Sequence, residues 1–389
     1  MTDLADKALL PAGTNDVLPP LAAYEADKVG ALLALFTQRG YERVTPPLFE
    51  FEESLMTGGG AATAGQAFRL MDPESRRMMG LRPDMTPQIA RIATTRLSLA
   101  PRPLRLSYAG DVLRIRGSQM RPERQFQQVG VELIGPLCAE ADAEVIVMAT
   151  EALAHIGIDG LSVDLGIPTL VPLLTKDLSL SSADAKSLRT VLDRKDAAAL
   201  KALCAQLGDE ATAIFPALLE ASGPAEGALS RLSALPLPPR AAEVRQGLQA
   251  VVDQLRGEAP DLTVTVDVVE NRGFEYHSGV SFTLFAQGVR GELGGGGRDL
   301  AGSDNETPGE PATGFTLFMD SVLRGLPTPN RKDRVYVPSE AGRDAAQALR
   351  AEGWIAIRGL ASAVAPDKEA HRLGCTHVLA DGDVRPVKT

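Results

Sequence analysis

The sequence predicts an α+β fold: an antiparallel sheet flanked by helices, interrupted by a helical insertion and followed by a small C-terminal α/β unit. Residues 104–117 and 124–135 alternate side chains at the period of a β-strand. Residues 175–258 are rich in alanine and leucine with charged residues between them, a pattern typical of helices. The tail after residue 331 alternates short strand and helix patterns, which predicts a separate small unit.

The N-terminal part predicts two helices around an extended region. Residues 21–39 carry apolar side chains at helical spacing and end at Gly40, a typical helix C-cap. The strand that follows turns at Pro46-Pro47. Thr86 stands before a proline and is therefore the predicted N-cap of the next helix.

The later segments set the predicted domain boundaries. Residues 139–156 read as a helix before the insertion, and a β-pattern and a glycine run come after it. The predicted domains are a core over residues 1–325, with the insertion at about 175–258, and a short α/β domain over residues 331–389.

Composition limits the classes of function. The 389 residues are 44% hydrophobic, as in soluble globular proteins. Apolar runs are too short to span a bilayer and the start is acidic, so we expect a cytoplasmic protein without a secretory signal. The net charge of −10 disfavours non-specific nucleic-acid binding. The three cysteines lie far apart, which predicts neither a disulfide framework nor a metal site.

A polar face on two neighbouring strands is a candidate binding surface. Because strand residues alternate between faces, Gln128 shares a face with Glu132, and Arg114 shares one with Arg116. Arginine binds carboxylates, and acidic groups accept from ammonium or imidazole N–H, so this set suits a zwitterionic amino acid. Charge pairs on a solvated strand would give the same pattern, and the pattern alone leaves both interpretations open.

The glycine run Gly294–Gly297 also has two interpretations. A P-loop requires Lys-Ser/Thr after the glycines, whereas Arg298 and Asp299 follow here. A glycine-lined strand that lets a ligand approach the backbone closely is the favoured interpretation.

Eight segments resemble, in sequence and in order, the motifs of class II aminoacyl-tRNA synthetases of the histidyl type. The resemblance covers residues 11–325 and implies a class II sheet flanked by helices and a dimer formed around Pro46. The segments are GTNDVLPP, the double-proline strand, RPDMTPQIAR, DVLRIRG, RQFQQVGVELIG, NRGFEYHSGVSF, GGGGRDL and ATGFTLFMDSVLR.

The same resemblance implies a histidine-binding pocket. The pattern departs at His277, where the family usually has the second of two tyrosines; this residue would contact an imidazole or pack against a neighbour. The other implied partners are Asp84, Thr86 and Gln128 for the α-amino group, Arg114 and Arg272 for the carboxylate, and Glu132 and Tyr276 for the imidazole.

The residues that would handle ATP depart from the synthetase pattern. Class II enzymes hold the triphosphate with charged residues of motifs two and three, and electrostatic stabilisation is the main catalytic term. Arg116 stands where the pattern has glutamate, and Ser321 stands where it has arginine. Arg324, nearly one helical turn later, would have to reach back. The tail resembles a shortened anticodon-binding domain without a strong basic stripe.

A kept histidine pocket beside a lost ATP site is typical of the regulatory subunits of ATP phosphoribosyltransferase, which are paralogues of the synthetase. The resemblance implies a non-catalytic chain without cofactor or metal, which binds a short catalytic subunit and conveys feedback inhibition by L-histidine in histidine biosynthesis. A homodimer within the complex is expected, with no tRNA or membrane partner. An active histidyl-tRNA synthetase and a stand-alone histidine sensor remain alternatives.

Overall fold

The structure is a computed structural model that describes residues 9–56, 58–118, 121–270, 277–303, 309–330 and 332–388. The chain forms two compact units, the first of Met1–Leu18 with Ala22–Pro327 and the second of Pro19–Leu21 with Thr328–Thr389.

The first unit begins with the elements that surround the candidate site. They are α1 (Leu21–Gln38), β1 (Glu42–Arg43), β2 (Phe49–Phe51), α2 (Glu52–Leu55), β3 (Arg69–Met71), β4 (Met78–Leu81), α3 (Thr86–Thr95), β5 (Leu104–Leu113), β6 (Gln125–Ile134) and α4 (Ala139–His155).

The next elements of the first unit are β7 (Leu161–Gly166), α5 (Leu170–Asp177), α6 (Ser182–Asp193), α7 (Ala197–Leu207), α8 (Asp209–Glu220), β8 (Gly223–Pro224), α9 (Ala225–Ser233), α10 (Pro239–Glu258), β9 (Thr263–Val266), β10 (Ser281–Ala286), β11 (Gly294–Ala301), β12 (Glu310–Phe318) and α11 (Met319–Gly325). Strand β7 precedes the helical insertion, and strands β9 to β12 follow the insertion.

Among the described residues, nine strands form one sheet in the order β1-β5-β6-β12-β11-β10-β7-β9-β8. The six strands from β5 to β7 in this order pair with one another antiparallel. The pairs β1/β5 and β7/β9 are parallel, so the sheet is antiparallel at its centre and mixed at its ends. This arrangement confirms the predicted α+β sheet. Strands β2, β4 and β3 form a separate small sheet.

One face of the large sheet is buried under helices. Val131 of β6, Phe36 of α1 and Ile146 of α4 belong to the main apolar cluster, and the rings of Phe36 and Phe315 meet edge to face at 5.7 Å. Helix α1 ends as predicted, because Gly40 takes φ of +82°, a left-handed conformation that favours glycine. The opposite face carries a second apolar cluster, which includes Leu106 of β5 and Ile89 of α3, beside the polar side chains of the candidate site.

Three local predictions were wrong. Thr86 is the first residue of α3 rather than its N-cap, and the Asp84 carboxylate accepts its backbone N–H at 2.9 Å. Strand β5 ends at Leu113, so Arg114 and Arg116 lie beyond it. The insertion is not wholly helical, since its β8 pairs with β9 at the edge of the large sheet.

The second unit contains a four-stranded sheet in the order β14-β13-β15-β16. Val335 and Tyr336 are successive strand residues, so their side chains point to opposite faces of this sheet. Val335 packs in an apolar cluster with the helix over residues 342–351, and Tyr336 packs in another with the helix over residues 366–372. The two helices therefore cover opposite faces. The elements are β13 (Arg334–Val337), α12 (Gly342–Ala351), β14 (Ile355–Arg358), α13 (Pro366–Arg372), β15 (His377–Ala380) and β16 (Asp383–Pro386).

Candidate functional site

The floor of the candidate site is a row of small residues across the polar face of the large sheet. Glu132 of β6 pairs with Gly314 of β12, which pairs with Gly297 of β11. A Cβ added at Gly314 would come within 2.2 Å of Glu132 Oε2. At Gly314 the absence of a side chain thus lets the Glu132 carboxyl group lie directly on the backbone. The glycine run Gly294–Gly297 forms the first half of the neighbouring strand β11, and close approach of a ligand to it stays a prediction.

A loop before α3 is held against this floor by Gln128. The Gln128 side chain is fully buried; its Oε1 accepts from Met85 N at 2.9 Å and its Nε2 donates to Asp84 Oδ2 at 3.1 Å. Asp84 also accepts a hydrogen bond from the backbone N–H of Thr86. The Asp84 carboxylate therefore contacts Gln128 on one side and the start of α3 on the other. Asp84, Thr86 and Gln128 thus lie together.

Glu132 is a buried carboxyl group with 7% exposure. Burial raises its pKa to about 8, and a hydrogen bond with Thr86 acts in the opposite direction. Asp299, in the same motif as the glycine run, is also affected by burial, which raises its pKa to about 6. The site thus contains acidic groups that hold protons more strongly than in water.

Tyr108 and Thr316 belong to the site but were missed from the sequence. Tyr108 Oη lies 2.7 Å from Thr316 Oγ1 and 3.3 Å from Thr86 Oγ1. Tyr108 is fully buried, and burial raises the pKa of its phenol. Gly130 lies between them, and a Cβ there would come within 2.5 Å of Tyr108 Oη. Gly130 is visible in the sequence, but the large side chain opposite it follows only from the register of β5 against β6.

Arg114 reaches the same site from beyond the end of β5. Its Nε donates to Pro83 O at 3.2 Å, its Nη2 lies 3.8 Å from Asp84 Oδ2, and its guanidinium lies over the Phe126 ring at 5.0 Å. Five predicted residues therefore converge. They are Asp84, Thr86, Arg114, Gln128 and Glu132.

Three predicted site residues are not among these five. Arg272 and Tyr276 fall outside the described residues. His277 is buried, and its Nδ1 lies 3.2 Å from Arg298 O. Burial lowers the pKa of His277 to about 4, so its ring is neutral at pH 7.

A cavity of about 490 Å³ adjoins Arg114. Arg121 projects into it from between two aromatic rings, 5.1 Å from the centre of Phe126 and 3.7 Å from that of Phe318. Arg121 was not singled out from the sequence. Burial lowers its pKa, and its Nη1 has no hydrogen-bond partner among the described residues. The other lining residues include Gln66, Arg116, Ser118 and Glu123.

The start of α11 adjoins this cavity, since Phe318 lies directly before the helix and Arg324 contacts Glu123 of the lining. Ser321 is fully buried, and Arg324 reaches back one turn so that its Nη2 donates to Ser321 Oγ at 2.8 Å. Arg324 Nη1 also lies 3.7 Å from Asp320 Oδ2 and 3.5 Å from Glu123 Oε1. The charge of Arg324 is therefore balanced by two carboxylates of the chain itself.

Arg298, directly after the glycine run, has a structural role. Its Nε donates to Asp142 Oδ2 at 3.1 Å, and its other nitrogens donate to the carbonyls of Pro136 and Cys138. These contacts tie β11 to the start of α4. They leave no basis for a P-loop at this position.

Within the described residues, no group of His, Cys, Asp and Glu is arranged to hold a metal ion. None of the helices in the same part of the chain has both the length and the apolar character needed to cross a membrane.

The chain is similar to known proteins in both sequence and structure. The chain matches the family described as histidyl-tRNA synthetase over residues 13–322. It is 54% identical over 385 residues to the ATP phosphoribosyltransferase regulatory subunit of Paramagnetospirillum magneticum, covering 99% of both chains. An ATP phosphoribosyltransferase regulatory subunit/histidyl-tRNA synthetase from Bacillus halodurans has a similar structure, with a TM-score of 0.79, 25% identity, and coverage of 94% of this chain and 96% of that one.

An ATP phosphoribosyl transferase complex from Thermotoga maritima contains a chain of similar fold. Its TM-score is 0.58 at 19% identity, and the match covers 76% of this chain and 97% of that chain.

Proposed function

The chain belongs to the histidyl-tRNA synthetase family and, within it, to the regulatory subunits of ATP phosphoribosyltransferase, and we propose that it exerts this regulation by binding free L-histidine in the Asp84–Glu132 pocket. The bound amino acid then inhibits a separate short catalytic subunit. The chain acts in the cytoplasm, in the first step of histidine biosynthesis.

The convergence of five side chains is the observation that supports a histidine ligand. The Asp84 carboxylate and the Gln128 Oε1 atom are acceptors for an α-ammonium group, with Thr86 beside them; Gln128 Nε2 donates to Asp84 Oδ2 at 3.1 Å and so holds the carboxylate in place. Arg114 offers a guanidinium to the α-carboxylate. Glu132, on the glycine floor, offers an acceptor to an imidazole N–H. On this proposal, Arg272 and Tyr276 supply further contacts to the carboxylate and ring, and His277 lies at the border of the pocket.

We further propose that the chain has no synthetase activity. Arg116 in place of an acidic residue changes the charge of the cavity beside the pocket, and Ser321 in place of arginine removes a cation. Arg324 reaches Ser321 but is neutralised by Asp320 and Glu123, which argues against its serving as a triphosphate ligand.

The proposed assembly contains the short catalytic subunit and a homodimer of this chain. The name shared by the relatives supports the catalytic partner, as does the similar chain in the Thermotoga maritima complex. The homodimer would form around Pro46, next to β1, which is the edge strand of the large sheet. Residues 331–389 are proposed to be a shortened anticodon-binding domain that does not bind tRNA, in keeping with the net charge of −10.

Inhibition requires that histidine bind one state of the assembly better than another. A ligand shifts a conformational equilibrium only by its differential affinity for the two states. On this proposal, Glu132 and Tyr276 sense the imidazole ring, and closure over the ring is the state-dependent step that is passed to the interface with the catalytic subunit.

The test is calorimetric titration of the full chain with L-histidine, followed by assay of the mixture with the short catalytic subunit. We expect the unmodified chain to bind histidine saturably and Glu132→Ala to lose this binding. We also expect the mixture to have phosphoribosyltransferase activity, and histidine to inhibit that activity. Glu210→Ala, exposed on α8, is the matched control and should bind as the unmodified chain does. Unchanged binding in Glu132→Ala would refute the pocket. Histidine binding without association with the catalytic subunit would instead indicate a stand-alone sensor.

A further inference from the structure

Three residues of the insertion hold one turn of the core. The turn runs from Asp267 to Glu270, directly after β9. Lys195, between α6 and α7, donates from Nζ to Asp267 Oδ2, and Ser222 Oγ donates to Asp267 Oδ1 at 3.3 Å. Arg189 of α6 donates from Nη2 to Val269 O at 2.9 Å. The insertion therefore contacts both the side chain and the backbone of this turn.

Asp267 is the centre of these contacts. It is 6% exposed and also accepts from the backbone N–H groups of Val269 and Glu270, at 3.2 and 3.3 Å. A buried carboxylate that loses a cationic partner is costly, because its charge is then uncompensated. Removal of Lys195 would therefore favour a different position of Asp267 and of the turn that it caps.

The turn lies at one end of the glycine floor of the histidine pocket. A Cβ added at Gly166 would lie 3.4 Å from Asp267 O and 3.9 Å from Glu270 O, so the turn covers this glycine. Gly166 pairs with Ser281, and Ser281 pairs with Gly297. Gly297 is already in the row that ends at Glu132. Four strand spacings, about 19 Å, separate the turn from Glu132 along this row.

The turn also immediately precedes the segment of the sequence that carries two proposed ligand residues. Arg272 and Tyr276 follow Glu270 by two and six positions, and both lie outside the described residues.

We propose that Lys195 is a positioning residue that couples the helical insertion to the histidine pocket through Asp267. This inference rests on the proposed function, because it concerns the regulation of the same pocket. Coupling between two sites is reciprocal, so histidine in the pocket stabilises the packing of α6 and α7 against the turn. The insertion is then the part of the chain whose stability reports whether histidine is bound.

The test measures histidine affinity and backbone hydrogen exchange in the full chain. Lys195→Met keeps the length of the side chain and removes its charge, and Lys195→Arg restores a cation. Lys186→Met, exposed on α6, is the matched control. We expect Lys195→Met to bind histidine about tenfold more weakly, within the roughly 5- to 150-fold range of measured couplings, with Lys195→Arg recovering most of the loss.

Hydrogen exchange separates positioning from a general loss of stability. In the unmodified chain and in Lys186→Met, histidine should slow exchange of the α6 and α7 amides; in Lys195→Met, bound at saturating histidine, this protection should be lost. Unchanged affinity in Lys195→Met, or no change of exchange in α6 and α7 when the unmodified chain binds histidine, would overturn this proposal alone. An unmodified chain that does not bind histidine would overturn the proposed function together with it.

Discussion

Glu132 lies with its carboxyl group directly over Gly314, so that a Cβ on Gly314 would come within 2.2 Å of Oε2 and 2.4 Å of Val131 O. The two residues are cross-strand partners of β6 and β12. Space for the carboxyl group therefore depends on the absence of a single side chain, which makes Gly314 a test of the pocket that leaves every polar group in place.

Gly314→Ala should weaken histidine binding without removing any ligand group. The added methyl displaces Glu132, whose carboxyl group is largely protonated at pH 7, and loss of one neutral hydrogen bond corresponds to about 0.5–1.5 kcal/mol, or roughly 2- to 10-fold in affinity. Overpacking should also lower the free energy of unfolding by about 1–3 kcal/mol. Titration calorimetry and denaturant unfolding measure the two effects. Gly247→Ala in α10, where a Cβ meets open space, is the control and should bind normally.

The pKa of Glu132 predicts a pH-dependent stability. Burial raises this pKa from 4.5 to about 8 in the folded chain. Between these values the folded chain keeps a proton that the unfolded chain loses, so the free energy of unfolding falls as pH rises, by up to about 1.4 kcal/mol per pH unit, and levels off above pH 8. Denaturant unfolding from pH 5 to 9 should show this slope in the unmodified chain. Glu132→Gln, which cannot ionise, should lack it; an equal slope in both chains would mean that another group is responsible.

The alternation of β6 made part of the site predictable. Gln128 and Glu132 are four residues apart on one strand, and their shared face follows from strand geometry alone. The roles of Tyr108 and Thr316 were not predictable in this way. They depend on the registers of β5 and β12 against β6. Thr316 also follows Glu132 by more than 180 residues in the sequence. Register across a sheet is set by the packing of the whole layer rather than by local pattern.

The wrong prediction for Thr86 has a similar cause. Threonine before proline is a good N-cap by local preference. Here the Thr86 hydroxyl lies beside Tyr108, and Asp84 accepts from the Thr86 N–H instead. Tertiary contacts of the site thus replaced the local cap, which no feature of the loop sequence alone could indicate. Strand β8 was missed because two residues are too few to give a period.

Arg298 should matter for folding rather than for ligand binding. Its side chain is 8% exposed and that of Asp142 is 7% exposed. Arg298→Met leaves Asp142 buried without its partner, so we expect the free energy of unfolding to fall by about 3–5 kcal/mol. The double variant Arg298→Met, Asp142→Asn should recover part of this loss, because the uncompensated charge is gone. Denaturant unfolding measures both. A folded Arg298→Met chain of normal stability that failed to bind histidine would contradict the structural role.

The start of α11 predicts the absence of amino-acid activation. A class II enzyme needs a cation here that is available to the triphosphate, since charge stabilisation is the main catalytic term. Arg324 donates to Ser321 and lies within 3.7 Å of Asp320 and 3.5 Å of Glu123, so its charge is already compensated. We therefore expect no histidine-dependent exchange of pyrophosphate into ATP above a protein-free blank, with a histidyl-tRNA synthetase measured in parallel as the positive control.

Ser321→Ala distinguishes a structural hydroxyl from a masked catalytic site. The side chain of Ser321 is fully buried, and its hydroxyl accepts from Arg324. Loss of this hydrogen bond should lower the free energy of unfolding by about 1 kcal/mol. Asp320 and Glu123 still neutralise Arg324 in the variant, so pyrophosphate exchange should remain absent. Exchange in the unmodified chain, or its appearance in Ser321→Ala, would mean that Arg324 can serve the triphosphate after all, and the non-catalytic assignment would then be wrong.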